Sequence, residues 1–335
     1  MELLCVLGLL GALCVLYFGF QLIRFLRADA DLTLLWAELF GHSPESKLSG
    51  NVVWVTGASS GIGEELSYQL AKLGSRLVLS ARRENELLKV KQKCLEISNL
   101  EDKDILIVPL DLTNASTHEA ATENVLKHFG QIDVLVNNGG RSQRSLCMET
   151  DLDVYRALLE VNYVGTVSLT KHVLHHMVQR KKGKVISISS VTGFIGVPLS
   201  SGYAASKHAL QGFLNSLRVE LGSYPDITIS IVCPGPVQSK IVENAYTEKI
   251  EKSAPTTDQS SKMPTERCAR LILITIANNL YETWIAEQPF LAICYLWQYT
   301  PTWAWWLTGK LGAQRIQNFK RGVDADSSYF TKKIK

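Results

Sequence analysis

From residue 51 onward the chain alternates short apolar runs with longer amphipathic ones. "NVVWVT" from Asn51, "RLVLS" from Arg76, "DILIVPL" from Asp104, "QIDVLVN" from Gln131, "KVISIS" from Lys184 and "ITISIV" from Ile227 are apolar runs of strand length. Short apolar runs of this kind, separated by helices, fit strands of a buried parallel sheet. Helical patterns separate them: Ile62 to Leu73, the charged "ENELLKVKQKCLEI" from Glu84, a long pattern from about Leu152 to Gln179, and Tyr203 to Leu221. A further one, Thr265 to Asn278, follows the last strand. This order predicts an α/β fold, a single doubly wound parallel sheet with right-handed crossovers.

The first 50 residues read differently. From Leu3 to Ile23 the sequence is "LLCVLGLLGALCVLYFGFQLI", with Gln21 its one conventionally polar residue. As a helix this run is ~31 Å long, against a bilayer hydrocarbon core of ~30 Å. Glu2 precedes it, Arg24 and Arg27 follow it, and the bulky "FLR" offers no small-residue cleavage site. Residues 1–27 are therefore expected to be a retained transmembrane anchor helix, not a signal peptide. Residues 28–50 form a connector: "DLTLLWAELF" has the spacing of a short amphipathic helix, and "GHSPESKLSG" has the composition of a loop.

Composition removes several alternatives. Of 335 residues, 46% are hydrophobic and 20% charged, so the chain is globular. The formal charge is only +3 and the Arg180 to Lys184 cluster is short, which argues for a solvated turn and against nucleic-acid binding. The seven cysteines are odd in number and without C-x-x-C spacing, so neither a disulfide framework nor a metal site is expected.

Candidate chemistry starts after the first strand, at T-G-A-S-S-G-I-G from Thr56 to Gly63. The glycines at 57, 61 and 63 do not have G-x-G-x-x-G spacing. The physics is the same: a turn without side chains lets the backbone approach a pyrophosphate at a helix N-terminus. Between a strand and an amphipathic helix, this is the Rossmann-type arrangement for a dinucleotide. The second strand ends in "SARR", with Arg82 and Arg83 where an acidic residue would select NAD. Arginine pairs bidentately with a phosphate, so NADP(H) is expected, with Arg82 as the main contact. Glu84 and Glu86 are close enough in sequence to neutralise the pair instead. Further on, Tyr203 and Lys207 are four apart in Y-A-A-S-K-H, on one helix face. Such pairs are often plain surface neighbours; alternatively, the ammonium lowers the phenol pKa toward useful acid–base work.

Together with "DLT" at Asp111, "NNGG" from Asn137, Asn162, Ser190 and "PGPV" from Pro234, these motifs resemble the short-chain dehydrogenase/reductase family over about Asn51 to Glu287. The resemblance implies an oxidoreductase with residues 51–287 as its catalytic domain. It implies that Tyr203 gives or takes the proton of the substrate oxygen. Lys207 would lower the Tyr203 pKa and hold the nicotinamide ribose, Ser190 would bond the carbonyl, and Asn162 would hold a relay water. Cofactor contacts are implied at Gly57, Ser59, Ser60, Gly61, Ile62 and Gly63. They are implied too at Asp111 and Leu112, at Asn138 and Gly139, and at Pro234, Gly235, Val237 and Ser239. "NNGG" for the commoner "NNAG", and Ser239 for the commoner threonine, are mild departures.

The substrate end is less defined. Lys240 to Met263 is an irregular polar stretch, either a substrate cover or a surface loop. Residues 288–335 form a Trp-rich extension with Tyr295, Trp297, Tyr299, Trp303, Trp305 and Trp306. These suit a membrane–water interface, but equally a packed core or a homo-oligomer flap. A mouth next to lipid suits lipophilic ketones, aldehydes or alcohols, such as steroids, retinoids or xenobiotic carbonyls. The rival readings are a non-catalytic NADP(H) sensor and a membrane scaffold. Arg24 and Arg27 after the anchor place the catalytic domain on the cytosolic side of the endoplasmic reticulum membrane. Asn114-Ala115-Ser116 is a glycosylation sequon that a lumenal domain would expose to modification.

Overall fold

A computed structural model describes residues 2–251 and 259–322, with backbone only at 2–6, 8 and 9. The N-terminal segment holds helices α1 (Glu2–Leu26), α2 (Leu32–Phe40) and α3 (Pro44–Leu48). The expected loop after α2 thus contains a short helix. Pro44 opens it, where a missing N–H costs nothing. Among the described residues, no helix is long and apolar enough to cross a membrane. Part of the expected anchor, and Cys5 with it, lies outside the residues whose side chains are described.

The catalytic unit runs β1 (Val52–Thr56), α4 (Gly61–Lys72), β2 (Arg76–Ser80), α5 (Glu84–Glu96), β3 (Ile105–Ile107), α6 (His118–Phe129) and β4 (Val134–Asn137). It continues with α7 (Leu152–Leu159), α8 (Gly165–Arg180), β5 (Gly183–Ile188), α9 (Ser201–Glu220), β6 (Ile227–Pro234), α10 (Thr265–Ala277) and β7 (Glu282–Ile285). All pairings are parallel, in the order β3-β2-β1-β4-β5-β6-β7. Every side chain of β1 and β6 is buried, because helices cover both faces. Val53 and Val55 face Leu66 and Leu70 of α4 and the apolar side of α10. Val52 and Trp54 face the other way, with Leu169 and Val173 of α8 and Leu210 and Leu214 of α9. Trp54 satisfies its buried indole by donating to Ser80 Oγ at 2.8 Å.

Three elements differ from the sequence pattern. α6 begins at a buried His118 in a stretch with weak apolar periodicity. β7 is a four-residue edge strand, too short to stand out. The long helix expected from 152 is two helices, α7 and α8, joined by a π turn at Glu160–Val164. Gly165, just after that turn, has no room for a side chain: a Cβ would lie 2.1 Å from the Leu112 carbonyl oxygen.

The chain ends pack beside β7. Asp31 caps α2 by accepting from Thr33 and Leu34 N–H, and it also accepts from Trp284 N–H at 2.7 Å. Arg267 of α10 donates to Asp29 (2.7 Å) and to both oxygens of Glu38. The C-terminal extension folds as α11 (Phe290–Tyr299) and α12 (Pro301–Lys320). Leu291 and Cys294 of α11 join Ala28, Val191, Ile195 and Ala286 in a small core. Residues 252–258 of the stretch expected over the substrate, and 323–335 of the extension, lie outside the described residues. Cys94, Cys233, Cys268 and Cys294 are buried, whereas Cys14 and Cys147 are exposed; all six are free.

Candidate active site

The strand order reverses between β1 and β4, so a crevice opens beyond their C-terminal ends. Thr56 closes its floor. Its hydroxyl accepts from Asn138 N–H (3.0 Å) and Gly139 N–H (3.1 Å) and donates to Val136 C=O. Asn138 Nδ2 answers by donating to the Thr56 and Gly57 carbonyls, at 3.0 and 3.3 Å. Gly57 and Gly61 have φ of 66° and 59°, a region that disfavours any Cβ. At Gly61 a Cβ would also lie 3.1 Å from Ser239 Cβ, closing the crevice from above. Gly63 does not face the crevice; it lets α4 pack against Gly57, whose oxygen a Cβ would approach to 2.4 Å.

A cavity of about 220 Å³ follows this floor. Ser59, Ser60, Ile62, Asp111, Leu112 and Gly139 border it, with Arg82 and Arg83 at one end. Asp111 spends one oxygen on Thr113 N–H and Oγ1, which leaves the other open. The arginines are placed unequally. Arg83 is held against the turn by donating to Ser59 Oγ at 3.1 Å, whereas the exposed Arg82 has no protein partner among the described residues. The two carboxylates expected to compete lie elsewhere: Glu86 pairs with Lys89, and Glu84 does not border the cavity. A crevice with a side-chain-free turn, an open carboxylate oxygen and two guanidinium groups at its border could hold a dinucleotide.

Ile62, Asn138, Gly140, Ser239 and Ile241 also border a second cavity of about 230 Å³, so the two adjoin. Ser190, Tyr203, Lys207, Pro234, Gly235 and Val237 line the second one. Ser190 follows β5; its Oγ donates to Pro234 C=O (3.3 Å) and accepts from Thr192 N–H (3.2 Å). Tyr203 and Lys207 come from the first two turns of α9, and both are almost fully buried. Lys207 Nζ donates to Ile188 C=O at 2.8 Å and lies 5.8 Å from the Tyr203 ring centre. Gly235 is bound to the sheet edge by its N–H on Ile285 C=O, and Ser239 N–H donates to Gln259.

The electrostatics correct one expectation. In the protein alone the Tyr203 phenol is raised, not lowered, because burial outweighs the Ser190 hydrogen bond and the Arg144 charge. Burial also pulls Lys207 down to about 8. The groups that pull the Tyr203 phenol down are Ser190 and Arg144, and the Lys207 ammonium is not among them.

Asn162 lies behind the cavity walls and borders neither cavity. Its Oδ1 accepts from Arg141 N–H (2.8 Å), and its Nδ2 donates to Arg141 C=O and Ser206 Oγ, each at 2.9 Å. Both carboxamide protons are used, so the side chain clamps the segment after β4 to α9, and a relay water would be held by an oxygen of Asn162, near Gly140 and Lys207.

Two contributors escaped the sequence reading. Gln143 is fully buried, and its Oε1 accepts from Gly202 N–H (2.7 Å) and Tyr203 N–H (3.3 Å), holding the first turn of α9. An isolated glutamine carries no signal for this. The other is the C-terminal extension: Phe290 and Ile293 of α11, with Thr308, Leu311 and Gly312 of α12, line the second cavity.

The model of the short chain dehydrogenase family matches residues 51–250. The chain belongs to the short-chain dehydrogenase/reductase family. It is 64% identical to "Dehydrogenase/reductase SDR family member 7" of Homo sapiens, across 98% of this chain and 97% of that one. To the Mus musculus protein of the same name it is 62% identical over 95% of each. A short chain dehydrogenase/reductase from Burkholderia phymatum, solved in complex with NAD, shares the fold with a TM-score of 0.66. That likeness is at 21% identity and covers 86% of this chain and 99% of the other. A short chain dehydrogenase from Burkholderia cenocepacia, in complex with NADP, gives 0.64 at 21% identity over 78% and 98%.

Proposed function

We propose that the protein is an NADP(H)-dependent carbonyl reductase or alcohol dehydrogenase for lipophilic ketones, aldehydes or their alcohols, the class that includes steroids, retinoids and xenobiotic carbonyls. The observation that carries this reading is the convergence of Ser190, Tyr203 and Lys207 where the two cavities adjoin. The bound nicotinamide supplies or accepts the hydride. The chain's own residues do the rest. Tyr203 holds the proton that moves at the substrate oxygen, and a hydroxyl turned from Pro234 toward that oxygen makes Ser190 a second donor. Arg82 and Arg83 would hold a 2′-phosphate, and Asp111 an adenine amine. Apolar walls from Val191, Ile195, Val197, Ile293 and Leu311 favour a lipophilic substrate. Purified protein assayed with a panel of lipophilic carbonyls and both cofactors should oxidise NADPH faster than NADH. Tight NADPH binding without turnover on any of them would instead support the sensor reading.

The same proposal includes the anchor. The described residues of α1 do not make a membrane span by themselves; the proposal adds the apolar residues of the sequence before Leu10, with which the 25-residue helix is ~37 Å long, more than a bilayer core. Its side chains from Leu10 to Ile23 are exposed apart from Gln21, as suits a helix whose partner is lipid. Arg24 and Arg27 favour a cytosol-facing domain on the endoplasmic reticulum membrane. Asn114 of the sequon is exposed, with Ser116 Oγ bonded to its Oδ1. Protease treatment of sealed microsomes tests the orientation: a domain protected until detergent is added faces the lumen.

A further inference from the structure

Two helices present apolar side chains outward. In α2, Leu32, Trp36, Leu39 and Phe40 are 63–68% exposed, while Leu34 and Ala37 are buried. The four exposed residues share one face, and the Trp36 and Phe40 rings lie 4.6 Å apart. In α12, Trp303 and Trp306 are 70% and 64% exposed and three apart, hence on one face. Lys310 stands 3.9 Å over the Trp306 ring. Trp305, itself 61% exposed, turns the other way, its ring 4.6 Å from that of Trp297 and near Gly196. So many large apolar side chains on two faces would be an exceptional surface for a protein wholly in water.

The α2 face lies beside the end of α1, and α12 is tied to the same place through α11. Gln288 Nε2 donates to Phe25 C=O at 2.9 Å, and the Phe25 ring is 6.1 Å from that of Tyr295. The Tyr295 hydroxyl in turn accepts from Leu32 N–H at 3.1 Å. The last turn of α1, the start of α2 and α11 therefore meet at Tyr295, and α12 follows α11 after Thr300.

We propose that α2 and α12 lie in the surface of the bilayer that holds α1, with Leu32, Trp36, Leu39, Phe40, Trp303 and Trp306 in its interfacial layer. The occupant is lipid for three reasons. Tryptophan is a preferred side chain of that layer. The Trp306–Lys310 pair sets a cation beside a buried ring, at phosphate level. Continuity with α1 holds both faces next to the membrane. One wall of the substrate cavity is then the inner face of a membrane-lying helix, since Thr308, Leu311 and Gly312 border that cavity. The inference rests on the anchor proposed above.

The test uses the full chain in phosphatidylcholine vesicles, with or without bromine on the acyl chains near the headgroup. α1 contains no tryptophan, so quenching by brominated lipid reads the platform and not the anchor. The wild-type emission should be quenched. Combined Trp36→Phe, Trp303→Phe and Trp306→Phe substitution should lower the quenched fraction about two-fold or more, with NADPH binding retained as the check on folding. Vesicle-bound protein with unquenched emission, or quenching the triple variant leaves unchanged, overturns the platform while the anchor stands. Protein that does not associate with vesicles overturns both. Emission indifferent to brominated lipid but dependent on protein concentration in detergent overturns it in favour of a second copy on this surface. None of these readouts needs turnover, so the enzyme assignment stands or falls separately.

Discussion

Replacing Lys207 by methionine should stabilise the cofactor-free protein at neutral pH while abolishing its activity. The lysine is 4% exposed and, among the described residues, bonds to the Ile188 carbonyl alone. Its displacement from the ordinary 10.5 to about 8 is worth about 3 kcal/mol at pH 7, at about 1.4 kcal/mol per pH unit. Methionine removes that penalty but leaves the Ile188 oxygen unpaired, at about 1–2 kcal/mol. The net expectation is a variant more stable by about 1–2 kcal/mol. The pH dependence has a definite sign. The folded value lies below the unfolded one, so between about pH 8 and 10.5 the unfolded chain binds more protons and wild-type stability rises with pH. By about pH 9.5 the penalty has fallen to about 1.5 kcal/mol, and the advantage of methionine should vanish. Urea titrations of the detergent-solubilised full chain without cofactor, at both pH values, measure this. An advantage equal at both, or a variant less stable than wild type at pH 7, would refute a buried, strained ammonium.

Three other outcomes are expected. Tyr203→Phe should retain NADPH binding and lose turnover at least ~100-fold, the low end for a positioned acid–base group; near-normal turnover in the folded variant rules Tyr203 out. Arg82→Ala should weaken NADPH relative to NADH by about 1.5–3 kcal/mol, the value for a hydrogen bond to a charged group. If the ratio of the two dissociation constants does not move, Arg83, already held by Ser59, is the reader. Gln143→Leu strips the Gly202 and Tyr203 N–H groups of their acceptor and should cost about 1–2 kcal/mol in denaturant titration, as loss of a helix cap does. With it, turnover should fall more than NADPH affinity, because the first turn of α9 carries Tyr203 and the glycine turn is untouched.

The sheet was legible because parallel strands buried on both faces are predominantly apolar, and six of the seven are, with small hydroxyl residues such as Ser187 of β5 and Thr228 and Ser230 of β6 as the interruptions. β7 was not, since four edge residues with Glu282 and Thr283 among them resemble a loop. The cofactor crevice was legible for a different reason. A backbone that approaches a phosphate excludes side chains, and that exclusion is written as glycine. Sequence could not say that Gly63 serves helix packing while Gly57 and Gly61 shape the turn, because that depends on where Asn138 and Ser239 arrive. Nor could it separate Arg82 from Arg83, or foresee that Asn162 would spend its carboxamide on Arg141 and Ser206. Burial was the quantity missing for Lys207: spacing puts it beside Tyr203, but only the fold shows an environment dry enough to reverse the expected pKa change.

The two cavities differ in what defines them. The crevice along β1 and β4 is made of local turns, each a few residues long, and these are the recurrent features of the family. The second cavity is closed on one side by the C-terminal extension, which a segment from the other end of the chain holds in place. α11 and α12 form one wall, and α11 is held by β7 and the connector through the Tyr295–Leu32 bond and the small core that contains Ala28. The connector in turn hangs on three acids and a base: Asp31 on Trp284, and Asp29 with Glu38 on Arg267. Under the proposed function, substrate preference would depend on residues near position 30 that border neither cavity, and on an extension lying wholly outside the stretch that the family model matches. Turnover depends on neither segment directly, because Ser190, Tyr203 and Lys207 are fixed by β5, α9 and Gln143. Changes in the chain ends should accordingly alter which carbonyls are accepted while leaving the proton chemistry at Tyr203 in place.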